Sequence, residues 1–269
     1  FWVGITSKSG SVFGRRQQPL QAAQLQDALL TIKPVIIDPH AKPEEQRTSP
    51  RAQSTVNRDM TALRAALNHA HTRGHVATDV AWLEALSPIS GADNARRVYL
   101  TRDERRKLLD VIQEDLRPFV ETLCRLPLRP GAVAALKVDD FDCHQGVLLI
   151  GKDKSGGDRK IKLPARTADF FKANCANKPD GSIIFTREDG KAWNKDAWKK
   201  PFKNAVTQAG LSSRATTYSL RHTAITDLVP ELDLLTVAQI SGTSVQMIQK
   251  HYGHLRQDRA VDALAKLSF

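Results

Sequence analysis

The sequence predicts a mainly helical protein with one small β-sheet, an α+β class, arranged in two domains. Three observations carry this expectation. Apolar residues recur at three- and four-residue steps over 55–74, the spacing of one helix face. Two short strand-like runs, 147–150 and 160–163, flank a glycine-rich basic turn. From Asn194 onward the pattern returns to helix.

Taken in order, residues 1–18 are polar, with glycine and serine but no period, and form a tail of unassigned role. A short helix fits 19–32. Residues 33–52 carry four prolines and several charges and read as a linker or loop. Val56, Met60, Leu63, Leu67 and Ala70 then share a helix face, with Thr55 placed to cap its start and Gly74 to end it. Trp82, Leu83 and Leu86 mark a short helix over 78–86, and 87–97 reads as a second linker. The small helical domain therefore spans 19–95 with its linker, and a second domain covers 98–269.

That second domain opens with Thr101 as N-cap and Glu104 at the capping-box position. The helix it starts should run to about Gln113, and another should span 116–126. Val147–Ile150 and Lys160–Leu163 make a hairpin around the basic turn. Gly210, Gly242 and Gly253 read as stops or turns in the C-terminal helices. At the end of the chain, Ala260, Val261, Leu264 and Leu267 form an apolar stripe at helical spacing.

Hydrophobic residues make up 41% and charged residues 26% of 269, ordinary for a globular chain. The net charge of +11 is not ordinary, and it favours a polyanionic partner. No stretch approaches the roughly 20 apolar residues of a membrane span, so no membrane partner is expected. The start, Phe1-Trp2-Val3-Gly4, has no signal-peptide pattern. It lacks an initiating Met, so a piece of a longer chain is expected. Cys124, Cys143 and Cys175 are widely spaced and form no CxxC pair. Reduced, largely buried thiols are expected, with no metal site and no cofactor.

Four segments carry chemistry-bearing residues in a fixed order. The first is Leu126-Pro127-Leu128-Arg129-Pro130-Gly131, continuing to Asp139-Asp140-Phe141. The second is the turn Lys154-Ser155-Gly156-Gly157-Asp158-Arg159. The third is Tyr218-Ser219-Leu220-Arg221-His222-Thr223, and the fourth runs from Ser241-Gly242-Thr243-Ser244 to His251-Tyr252-Gly253-His254. Taken singly these are weak signals; their order and spacing together resemble the tyrosine recombinase (phage integrase) family over about 98–269. Thr55 through Gly74 resembles the helical core-binding domain that precedes the catalytic domain in that family.

The resemblance implies an integrase-like DNA breaking-rejoining fold and a site-specific recombinase acting on double-stranded DNA. Its catalytic set would be Arg129, Lys154, Tyr218, Arg221, Thr243 and Tyr252. The chemistry suits those residue types. Tyr252 attacks phosphorus, leaving a 3′-phosphotyrosyl link and a free 5′-hydroxyl, and the stored bond lets religation proceed without ATP. Arg129 and Arg221 clamp the non-bridging oxygens with permanently charged, bidentate groups. Lys154 protonates the departing 5′-oxygen; Lys152, on the same turn, competes for that role. No metal is needed. The family's habit also implies a homo-tetramer on DNA, a monomer when free, and a cytoplasmic, nucleoid-associated location.

Three positions depart from the family pattern: Tyr218 stands where His is usual, Thr243 where His or Trp is common, and Ala132 where an acid is usual. A phenol, with an ordinary pKa near 10, donates a hydrogen bond at neutral pH but is no ready base. Thr243 can likewise donate to a phosphate oxygen. Two alternatives therefore stand: a DNA-binding protein of this fold with weakened catalysis, and a type IB topoisomerase-like activity using the same chemistry. DNA contacts are expected from Arg58, Arg64 and Arg73 on the long first-domain helix, and from Lys152 and Arg159 on the basic turn. They are also expected from Lys195, Lys199 and Lys200 among aromatics that point to the core, and from His222 beside the site. Two basic domains on a linker would close around a duplex, mostly through phosphates.

Overall fold

The computed structural model describes residues 22–32, 35–37, 42–92, 98–151 and 158–256, with 261, 264, 265 and 267 beyond them. The chain divides into two compact units, Phe1–Ala95 and Arg96–Phe269.

In the first unit α1 spans Ala22–Thr31, β1 Val35–Ile36, β2 Thr48–Ser49, α2 Gln53–Thr72 and α3 Val80–Leu83. The segment read as loop thus holds a short antiparallel ladder, Val35 opposite Ser49 and Ile36 opposite Thr48. Two residues per strand are too few to show a period. α2 begins earlier than expected. Ala52 is its N-cap and offers no side-chain acceptor, while Thr55 lies in the first turn with its N–H on the Ala52 carbonyl at 2.8 Å. The expected stop does lie past its end: Gly74 sits at φ +75°, where a Cβ would be strained. Val56, Met60, Trp82 and Leu86 form the buried core. Leu63 and Leu83, placed in the apolar stripes, are 48% and 61% exposed, so the periodicity marked the face but not the depth of its cover. Trp82 Nε1 donates to Asn68 Oδ1 at 2.7 Å, tying α3 to α2.

The second unit runs α4 Arg102–Val111, α5 Arg117–Arg125, α6 Pro130–Ala134, β3 Phe141–Asp142, β4 Val147–Ile150, β5 Arg159–Lys162, α7 Ala165–Cys175, α8 Lys195–Gln208, α9 Thr217–Leu228, α10 Leu234–Ser241 and α11 Val245–Tyr252. The α4 capping box forms as expected: Thr101 N–H donates to Glu104 Oε2 at 2.7 Å and Glu104 N–H to Thr101 Oγ1 at 3.2 Å. β3, β4 and β5 form an antiparallel sheet in that order, with Ile150 opposite Arg159 closing the hairpin. β3 and α7 were not anticipated; β3 is two residues long, and α7 lacks a clean apolar stripe.

The main core gathers Phe119, Leu123, Leu128, Leu148, Phe171, Trp198 and Leu220. A second cluster holds Ile225, Val229, Val237, Ala238, Ile248 and Tyr252. Gly253 caps the end of α11, as expected, at φ −58° and ψ −29°, and the chain tightens there into a 3₁₀ turn reaching Arg256. One expectation needs correction here. Cys143 is exposed rather than buried, because it sits in the polar turn between β3 and β4. Cys124 and Cys175 are half-buried, and all three are free; burial pushes the Cys124 thiol up to about 12.

Candidate active site

The site is built on α9, and the second unit fixes that helix from several sides. α5 packs along it. Leu100 N–H donates to Thr223 Oγ1 at 3.0 Å, and Arg105 Nη2 reaches Asp227 Oδ2 at 2.9 Å. Tyr99 OH donates to the other Asp227 oxygen at 2.8 Å, a bond that raises the Tyr99 phenol above its ordinary range. These contacts anchor α9 directly after Arg221 and His222 and one turn further on.

Arg221 is only 7% exposed. Its Nη1 donates to the Pro127 carbonyl at 2.6 Å and the Ser241 carbonyl at 2.8 Å. Both acceptors have a local cause. Ser241 closes α10, where carbonyls lack intrahelical partners and the helix dipole is negative. Gly242 (φ +66°) then turns the chain, with Thr243 N–H on Ala238 O and Gly242 N–H on Gln239 O, the bond pair of a Schellman ending. Pro127 lies in the extended link between α5 and α6, two residues before Arg129. Arg129 is the half-buried N-cap of α6, and Pro130 behind it has the fixed φ that starts a helix. One guanidinium therefore ties the segment carrying Arg129 to the segment carrying Thr243.

Burial lowers the Arg221 pKa from the ordinary guanidinium range to about 10, and the positive charges of Arg129 and then Arg159 add to that. Tyr252 and Tyr218 oppose the shift. At neutral pH Arg221 still carries its charge, about three units below that value. A cluster of cations that repel one another in a desolvated place is an anion receptor. Inorganic phosphate at about a hundred times its Kd should therefore stabilise the fold by about 2.7 kcal/mol. Thermal unfolding at constant ionic strength reads this against chloride. Arg129→Gln should lose most of the shift; an equal shift in the variant would show that phosphate acts elsewhere.

Tyr252 ends α11, 9% exposed, with its ring in the smaller apolar cluster. Its hydroxyl shares a hydrogen bond with His222 Nδ1, and the two rings lie 6.1 Å apart, tilted by 32°. Tyr218, on the first turn of α9, is 50% exposed, and Thr243 is half-buried.

Of the residues singled out by sequence, Arg129, Arg159, Tyr218, Arg221, His222 and Tyr252 are thus brought together, with Thr243 two residues beyond the Ser241 carbonyl. Lys152 and Lys154 lie outside the described residues. Arg159 opens β5, close enough for its charge to act on Arg221. Lys195, Lys199 and Lys200 are exposed on α8, while Trp198 and Phe202 of the same helix are buried. Arg58 and Arg73 are exposed in the first unit. Arg64 is instead half-buried, its Nε and Nη2 covered and without a hydrogen-bond partner among the described residues. The Pro127 and Ser241 carbonyls, and the His222–Tyr252 bond, were not legible in the sequence. A backbone acceptor leaves no side-chain signal, and the bond joins residues 30 apart. A separate cleft of about 380 Å³ is lined by Asp115, Glu188, Asp189 and Trp193 and includes none of the residues singled out above. Among the described residues, no group of three or more His, Cys, Asp or Glu side chains is placed to hold a metal ion.

Residues 98–259 match the Phage integrase family, and the chain belongs to that family. Tyrosine recombinase XerA of Thermococcus kodakarensis is 29% identical over 163 residues, covering 58% of this chain and 53% of that protein. An integrase/recombinase of Escherichia coli is 24% identical over 222 residues, covering 65% of each. The chain thus spans between about half and just under two thirds of these curated relatives. Among solved structures, the Tn1549 transposon integrase in complex with transposon right end DNA superposes with a TM-score of 0.71 at 17% identity, over 92% of this chain and 85% of that one. A lambda integrase dimer bound to a COC′ core site gives 0.57 at 18% identity, over 74% and 59%. At these identities the likeness is one of fold, and it establishes the integrase-like α+β class.

Proposed function

We propose that the chain is a tyrosine site-specific recombinase that cleaves and rejoins double-stranded DNA through a 3′-phosphotyrosyl intermediate at Tyr252. The observation that carries this reading is the buried Arg221, with Arg129, Arg159 and the Tyr252 phenol all inside its electrostatic reach. A phosphodiester seated there meets positive charge on its non-bridging oxygens and a hydroxyl nucleophile beside it. The names of the relatives and the DNA held by the solved neighbours point the same way. Lys154 supplies the proton for the leaving 5′-oxygen, while Tyr218 and Thr243 donate hydrogen bonds to the phosphate. Lys195, Lys199 and Lys200, with Arg58 and Arg73 of the first unit, hold the DNA backbone, in the nucleoid.

The active assembly is a tetramer formed on DNA from free monomers. In its favour, Val261, Leu264 and Leu267 of the C-terminal stripe are 64%, 64% and 70% exposed in the single chain. Ala260, the fourth member, lies outside the described residues. No helix among the described residues is long and apolar enough to cross a membrane.

A nicked suicide duplex carrying the cognate site tests the reading. The expected result is a protein–DNA adduct at the 3′ end, and a slower-migrating synaptic complex on a native gel when two sites are supplied. Binding without an adduct would favour the weakened-catalysis alternative, to which the Tyr218 and Thr243 departures lend weight. An adduct without synapsis would favour the topoisomerase-like one.

The leaving-group role has its own test. Lys154→Ala should cleave far more slowly than Lys152→Ala. A 5′-phosphorothiolate at the break should rescue it, because sulfur departs without a proton. Rescue confined to the Lys152 variant would exchange the two assignments.

A further inference from the structure

Attack by Tyr252 requires its phenolic proton to go somewhere. At an ordinary pKa near 10, only about one phenol in a thousand is ionised at pH 7, so a base in contact with the hydroxyl matters. Tyr218, another phenol, is half exposed and no such base. His251 meets the Tyr252 ring edge-on, centroids 6.5 Å apart. His222 is placed differently: its Nδ1 is hydrogen-bonded to the hydroxyl oxygen itself. It sits one turn beyond Tyr218 on α9, next to Arg221, on a helix held by the Leu100–Thr223 and Arg105–Asp227 contacts. An imidazole is the side chain whose neutral form is abundant at physiological pH and whose conjugate acid is stable there.

Resting on the reading of Tyr252 as nucleophile, we propose that His222 is the catalytic base of cleavage: its Nδ1 accepts the Tyr252 proton as the phenolic oxygen bonds to phosphorus. The P–O5′ bond breaks in the same displacement, and its electron pair leaves with the 5′-oxygen, which takes a proton from the basic turn. Nδ1 acts as acceptor in the tautomer that carries hydrogen on Nε2. Religation reverses each transfer. The 5′-hydroxyl gives up its proton and attacks phosphorus, and the imidazolium returns the stored proton to the departing phenolate. One histidine thereby serves as base in one direction and acid in the other. It does so from a position four residues after the one where the family pattern carries its own histidine.

The test uses the full chain at saturating concentration on the nicked suicide duplex, reading single-turnover adduct formation. His222→Asn places an amide oxygen near Nδ1, keeping a hydrogen-bond acceptor that cannot take the proton; His222→Ala removes both functions. At saturating protein, both variants should cleave at least about 10²-fold more slowly. Added imidazole should restore the Ala variant in proportion to its neutral form, and should not restore Tyr252→Phe. Parental rates in the Asn variant would reduce His222 to a positioning contact and overturn the proposal. Faster cleavage by the Ala variant would show instead that the bond is a latch on the nucleophile. Absence of an adduct in the parent itself would strike at the Tyr252 reading. An adduct that forms in the parent, fails in Tyr252→Phe and is indifferent to His222 would sink this proposal alone.

Discussion

Tyr252→Phe should yield a folded protein that binds its DNA site with parental affinity and forms no covalent adduct. The substitution removes one oxygen. The ring stays in the cluster of Ile225, Val229, Val237 and Ile248, so the apolar packing of α11 is unchanged. The lost bond to His222 is a single, partly buried contact, contributing about 0.5–1.5 kcal/mol. That is too small to unfold a domain with a core of this size. Its chemical effect is total, because no other group on that ring can bond to phosphorus. A protein-linked strand in the phenylalanine variant, under conditions where the parent reacts, would remove Tyr252 from the role of nucleophile. Loss of DNA binding alongside the adduct would instead mean that the hydroxyl contributes to the fold or to the grip.

How much of this was legible beforehand depended on the kind of interaction involved. The Thr101–Glu104 box was read correctly because both partners are side chains three residues apart, and local chemistry decides the outcome. The β4–β5 hairpin was read because β-branched and aliphatic residues flank a glycine-rich turn. β3 and the β1–β2 ladder escaped because two residues have no period. Leu63 misled: its spacing is that of Val56 and Met60, but burial depends on what packs over a face, which spacing does not encode. Leu83 failed for the same reason. In the site, side-chain identity and order picked out Arg129, Arg221 and Tyr252. The groups that hold Arg221, two backbone carbonyls 94 and 20 residues away in sequence, were invisible because every residue has a carbonyl. His222 was assigned to DNA contact from its place in a motif; its bond to Tyr252 depends on the approach of α11 to α9, which only the tertiary structure supplies.

Arg221→Ala separates what the fold needs from what the chemistry needs. The guanidinium makes two charge-assisted bonds, to Pro127 O and Ser241 O, together worth about 3–6 kcal/mol. Against this stand desolvation and repulsion from Arg129 and Arg159. These lower its pKa from the ordinary guanidinium range to about 10, equivalent to roughly 3 kcal/mol disfavouring the charged form. The two largely offset, so alanine should lower stability by no more than about 3 kcal/mol, with water entering to serve the abandoned carbonyls. The pH dependence has a definite sign. A cation whose pKa is depressed in the fold is a burden below about 10, and that burden is relieved as pH rises from there toward the ordinary guanidinium value. At neutral pH the penalty is therefore present in full and offsets much of what the two carbonyl bonds contribute. Cleavage behaves otherwise. Loss of one transition-state donor lowers the rate by about 10²–10³, and loss of the strut between the Arg129 and Thr243 segments adds to it. Single-turnover adduct formation, measured well below the unfolding midpoint, should fall by at least about 10² while the midpoint moves by only a few degrees. Parental cleavage in a folded Arg221→Ala protein would take the residue out of the chemistry. Global unfolding would show that the carbonyl bonds outweigh the buried charge.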